Sequence, residues 1–249
     1  MKELTKEIEK SMKTLSLKGM LEVYKDLALK ASQGNLQYEE YLALLLEAEV
    51  KRKTEGSVKA KITKARFPYF KTIEEFDFSF QPHLNEKEVI NLSSLDFLDK
   101  KENILFLGPP GVGKTHLSIG LGIKACMAKY RVVFMQTQRL LEELMICQRD
   151  GSLMDKLMSY SRLHLLVIDE LGYMPVTREQ ANLLFQLISV RYERGSIILT
   201  SNYNFDEWGK IFEDTVVASA ILDRLVHHSK IFFITGSSYR LKSKIKSDK

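Results

Sequence analysis

Asn103-Ile-Leu-Phe-Leu-Gly108-Pro-Pro-Gly-Val-Gly-Lys-Thr115-His116 sets a short apolar run directly against a loop rich in glycine and proline. The run is strand-like, and the pattern from His116 to Lys129 is helical. The loop between them reads G-x-x-x-x-G-K-[ST]. Its physical requirement is backbone N–H groups that all point into one concavity, with the positive end of a helix dipole behind them. Glycine permits the necessary dihedrals and a close approach. Gly108, Pro109, Pro110, Gly111, Val112, Gly113, Lys114, Thr115 and His116 are therefore expected to bind ATP. Lys114 would reach the β- and γ-phosphates, and the Thr115 hydroxyl would bind Mg²⁺.

Downstream of the loop, apolar runs recur at Val132–Met135, Leu165–Ile168, Ile197–Thr200 and Ile231–Ile234. The first three are separated by helical patterns, which predicts a five-stranded parallel sheet in an α/β domain. The run from His164 ends in Asp169-Glu170. Carboxylates at the carboxyl end of such a strand suit a magnesium shell and the polarisation of an attacking water. Asp169 is assigned to the metal and Glu170 to the water. The next run ends at Asn202, whose amide could orient the same water or simply serve a turn. A transferring phosphoryl group calls for an arginine. Composition does not choose among Arg191, Arg194, Arg224 and Arg240.

The first third of the chain reads differently. Amphipathic helix is expected from Lys2 to Leu29, with a break at Gly19, and again from Tyr38 to Lys53 with Tyr41, Leu42, Leu45 and Leu46 facing inward. Residues 1–71 carry 15 Lys or Arg against 10 Asp or Glu, so they hold all of the net charge of +5. Lys51, Arg52, Lys53, Lys59, Lys61, Lys64, Arg66 and Lys71 crowd one stretch, either as a contact for a phosphate backbone or as a solvated face. A second cluster, Lys242, Lys244, Lys246 and Lys249, reads as a tail. Aromatic residues between Phe67 and Leu84 suggest a connector packed on the following domain and able to shape an adenine pocket. The domain plan is thus a helical 1–66, a connector 67–84 and an ATPase domain 85–249. Apolar runs too short for a membrane span, two cysteines without metal spacing, and no signal-peptide pattern at the start suggest a cytoplasmic protein.

GPPGVGKTHLSIGLG, LLVIDELGY, ILTSNYNFDEWGKIF, AILDRLVHHS and GSSYRLK together resemble the IstB-type ATP-binding proteins of bacterial insertion sequences, an AAA+ branch close to the DnaC and DnaI helicase loaders. The resemblance covers nearly the whole chain. It implies an AAA+ P-loop NTPase with a truncated lid behind a small all-helical domain. It also implies that Asp169 and Glu170 are the Walker B pair, Asn202 sensor 1, Arg224 the arginine finger that reaches a neighbouring subunit's ATP, and Arg240 the sensor 2 arginine. The implied role is a transposition helper that oligomerises on duplex DNA through ATP at subunit interfaces, hydrolyses ATP, and recruits an IstA-type transposase. Under that resemblance the DNA contacts are Lys51, Arg52, Lys53, Lys59, Lys61, Lys64 and Arg66. The alternative is a DnaC/DnaI-like loader of a replicative helicase. The ATPase core is common to both, whereas the absence of cysteine in residues 1–85 and the long helix before the basic stretch fit the helper better.

Overall fold

The computed structural model describes residues 2–34 and 36–239. They form two compact units that divide between Ala60 and Lys61.

The first unit holds helices α1 (Lys2–Thr14), α2 (Lys18–Ser32) and most of α3 (Tyr38–Ala65). Met20, Tyr24 and Leu45 are its buried core, with Met12, Leu17, Leu21, Leu27 and Tyr41 packed around them. The expected break at Gly19 falls earlier, at Leu15–Leu17, where Ser16 takes a left-handed φ of 56°. Gly19 lies inside α2 because the helices meet there: a Cβ on it would sit 2.5 Å from the Ala48 carbonyl oxygen. Glu49 crosses the same gap, and its Oε2 accepts hydrogen bonds from the Gly19 and Met20 N–H groups at 2.7 and 3.1 Å. A carboxylate from another helix thus caps α2, whose own N-cap residue, Leu17, supplies no side-chain bond.

Helix α3 runs twelve residues past the expected Lys53, through most of the basic stretch. Lysine and alanine are good helix formers, so polarity alone does not end it. It stops where Arg66 turns left-handed at φ 63°. Two expected core positions are also corrected. Leu45 is buried, but Leu42 and Leu46 are 54% and 49% exposed, because the small core covers only one side of the helix.

The second unit contains α4 (Glu86–Asn91), α5 (Asp96–Asp99), β1 (Asn103–Leu107), α6 (Lys114–Met127), β2 (Val132–Gln136), α7 (Thr137–Arg149), α8 (Leu153–Ser161), β3 (Leu165–Leu171), α9 (Arg178–Arg191), β4 (Ser196–Ser201), α10 (Thr215–Val226) and β5 (Ser229–Phe233). The strands make one sheet in the order β2-β3-β4-β1-β5, with every pair parallel. Side chains alternate between two cores, as a strand's period of two requires. Ile104, Phe106, Val167 and Ile198 face a core shared with α6 and with Ile73 of the connector. Leu105, Leu166, Ile168 and Leu199 face the one built with α7, α8, α9 and α10. The edge strand β5 begins two residues before the expected Ile231, because half-exposed Ser229 and exposed Lys230 pair with Asn103 and Ile104.

The aromatic connector lies on the first of these cores. Phe67 packs against Phe134 with ring centroids 6.1 Å apart, and Phe76 meets Phe78 edge to face at 4.8 Å. Among the described residues no helix is long and apolar enough to cross a membrane.

Candidate functional site

The carboxyl ends of β1, β3 and β4 converge on one cleft of about 540 Å³, a size suited to a small-molecule ligand. The loop after β1 supplies Pro110, Gly111, Val112, Gly113, Lys114, Thr115 and His116 to its lining. Gly113 has φ 104°, and a Cβ on it would fall 2.4 Å from the Phe76 ring, so both the conformation and the close approach exclude a side chain. Helix α6 begins at the next residue, which leaves its first N–H groups at the loop.

Lys114 is buried, at 7% exposure. Its ammonium donates to the carbonyls of Gly108 and Pro109 at 2.5 and 2.8 Å and to Asn202 Oδ1 at 2.8 Å. The lysine and the strand-end amide predicted from sequence therefore share one location. His116 Nε2 lies 2.7 Å from the Thr72 carbonyl, and its ring meets Phe76 edge to face.

Thr115 Oγ1 donates to the Asp169 carboxylate, 3.0 and 3.1 Å from its two oxygens. A hydroxyl beside a carboxylate is a hard oxygen donor set, which suits Mg²⁺. Burial raises the pKa of Asp169 above the ordinary carboxylate value. Bonds from Thr200 and Thr115 pull it back, Glu170 raises it and Lys114 lowers it. Thr200, two residues before Asn202, donates to Asp169 Oδ1 at 2.6 Å and accepts from the Glu170 N–H at 2.8 Å. Thr137 donates to the Asp169 carbonyl at 2.8 Å.

Glu170 is set by a bulge. Between Ile168 and Leu171 the register shifts, so three steps along β3 match two along β4, and Glu170 takes a φ of 62°. A left-handed glutamate is strained backbone of the kind found at functional sites. Its carboxylate is reached by Gln136 Nε2 at 3.3 Å.

The four candidate arginines separate. Arg191 is 1% exposed and donates to the carbonyls of Tyr160, Leu163 and Ser196, so it is a structural clip. Arg194 is exposed. Arg224 is half-buried, stacks over Phe185 at 4.2 Å and donates to Ser189 Oγ at 2.6 Å. Arg240 and the Lys242–Lys249 cluster lie outside the described residues.

Of the expected DNA contacts, Arg52 pairs with Glu22 and Lys53 with Glu49. Lys51, Lys59, Lys64 and Arg66 are exposed, and Lys61 is half-buried.

Sequence reasoning missed Thr200, near the end of β4, and Thr137, which opens α7; each meets Asp169 only across the fold.

A parallel sheet in this order, with a phosphate loop after β1, an Asp-Glu pair on β3 and an asparagine after β4, defines a P-loop protein of the AAA+ class. The AMPPCP-bound DnaA of Aquifex aeolicus is similar in fold. It has a TM-score of 0.57 and 21% identity, covering 73% of this chain and 56% of that one. The chain belongs to the family of the IstB-like ATP binding protein, whose model matches residues 10–247. It is 44% identical over 241 residues to an IS21 insertion-sequence protein of Pseudomonas aeruginosa that is named for ATP binding, covering 97% of this chain and 91% of the relative. It is 46% identical to the corresponding IS5376 protein of Geobacillus stearothermophilus, covering 92% of each.

Proposed function

We propose that the chain binds and hydrolyses magnesium ATP, oligomerises on duplex DNA with the nucleotide at subunit interfaces, and in that form recruits and stimulates a partner transposase. Lys114 and the loop amides hold the phosphates, Thr115 and Asp169 hold the metal, and Asn202 orients the water that Glu170 deprotonates. Magnesium, when bound, neutralises charge that develops between the β- and γ-phosphates.

The observation that carries the oligomeric reading is the position of Arg224. It lies in the last turn of α10, which the Asn103 side chain fastens to the start of β1 through the Leu225 carbonyl at 3.1 Å. The phosphate loop leaves the other end of β1. Five strand residues at about 3.3 Å each lie between them, too far for an arginine to serve its own site. A half-buried arginine positioned this way suits the nucleotide of a second copy.

The stripe Leu42, Leu46, Val50 on α3, exposed at i, i+4 and i+8, supports further contact between copies. The basic residues that follow it, and the relatives' place in insertion sequences, support a DNA backbone as partner.

Mass photometry of the chain with duplex DNA tests the reading. A large complex is expected with ATP and not with ADP. Identical mass distributions under the two nucleotides would reject the switch.

A further inference from the structure

Gln81 follows the short 3₁₀ turn Phe78–Phe80 and is only 1% exposed. Neither its Oε1 nor its Nε2 has a hydrogen-bond partner. A buried primary amide with both ends unmatched forfeits several hydrogen bonds, so native structures rarely keep one without a use. The other described side-chain atoms in this condition, on Glu102, Arg191 and Trp208, are not in the cleft lining, whereas Gln81 is.

The surroundings suit a flat heterocycle. Phe76, Phe80 and Tyr239 line the same cleft, and Phe80 meets Tyr239 edge to face at 5.2 Å. Gly236 passes so close that a Cβ there would lie 2.6 Å from Gln81 Oε1. Any side chain at that position would displace the amide. Gln81 thus holds one unmatched donor and one unmatched acceptor side by side, next to aromatic rings and in the lining of a cleft that the phosphate loop also lines.

We propose that Gln81 reads the base of the bound nucleotide, its Nε2 donating to N1 of adenine and its Oε1 accepting from the N6 amino group. The assignment rests on the nucleotide site described above and adds to it the basis of its selectivity. A polar group built to pair with a ligand discriminates strongly against analogues lacking the partner atom.

Equilibrium binding by the full chain, with Mg²⁺ present, tests this using ATP, GTP, pyrophosphate and purine riboside triphosphate, which keeps N1 but lacks the 6-amino group. The wild type is expected to prefer ATP over purine riboside triphosphate by about tenfold, the worth of one lost neutral hydrogen bond. Gln81→Leu should bring that ratio close to one. Gln81→Glu should shift the ATP-to-GTP ratio toward GTP by at least about tenfold, because a carboxylate accepts from guanine N1–H and N2–H and cannot donate to adenine N1. Unchanged pyrophosphate affinity in both variants would show that the phosphate loop is intact. Wild-type ratios in both variants, or loss of pyrophosphate binding in both, would overturn the assignment. A wild type with no affinity for ATP would overturn the nucleotide site itself.

Discussion

The Lys114 ammonium and Asn202 Oδ1, 88 residues apart in sequence, lie 2.8 Å apart at the carboxyl ends of neighbouring strands. The lysine proposed to grip phosphate is therefore bonded directly to the amide proposed to orient the attacking water. Asn202→Ala should leave ATP affinity within about threefold and lower the hydrolysis rate by about 100-fold, the usual cost of one oriented polar group at a reacting centre. Equal losses in affinity and rate would make Asn202 a lysine anchor instead.

Glu170→Gln keeps the size of the side chain and removes the base. The left-handed backbone at residue 170 is held by the Thr200 hydroxyl, which bonds the main-chain N–H, so the substitution should leave the bulge intact. ATP binding is expected to persist while turnover falls by about 10² to 10⁴. Single-turnover hydrolysis beside an equilibrium binding curve separates the two quantities. Rapid turnover by the variant would remove Glu170 from the role.

Thr200 joins the same pair of carboxylate residues by two bonds, one to the Asp169 side chain and one from the Glu170 backbone. Thr200→Val is nearly isosteric and deletes both bonds. It should weaken Mg²⁺-dependent nucleotide binding by about 10- to 100-fold, the usual effect of losing an outer-shell partner of a metal-ligating group. Metal-free nucleotide binding should change little. A mere packing role for Thr200 would leave the magnesium titration unmoved.

What could be read in the sequence followed from how local each signal is. The phosphate loop, Asp169-Glu170 and the five strands each announce themselves within a few residues, because glycine dihedrals, buried apolar runs and strand-end carboxylates are short-range requirements. Thr200 and Gln81 are different. Their meaning depends on a neighbour across the sheet and on an unmatched amide inside a cleft, and neither leaves a periodic trace. The same holds for Arg191: it cannot be told from Arg194 by spacing, and only its three bonds to the Tyr160, Leu163 and Ser196 carbonyls take it out of catalysis. Helix α3 outruns its expected end because charge density carries no stop signal of its own, while the lysines and alanines of the stretch favour helix.

Arg224 supplies the sharpest test of assembly. Its guanidinium is held over the Phe185 ring and bonded to Ser189 Oγ on α9, and the length of β1 keeps it from its own phosphate loop. Arg224→Ala should lower DNA-stimulated hydrolysis by about 10³ or more, the range reported for an arginine that stabilises a transferring phosphoryl group. Lys114→Ala should abolish ATP binding. Neither variant alone is active, yet a mixture creates interfaces in which an intact phosphate loop faces an intact Arg224. Activity should rise in the mixture to an appreciable fraction of wild type and peak at intermediate ratios, as measured by phosphate release on duplex DNA. A chain whose arginine acted within its own subunit would show no recovery at any ratio, because every molecule in the mixture would still lack one half of its site.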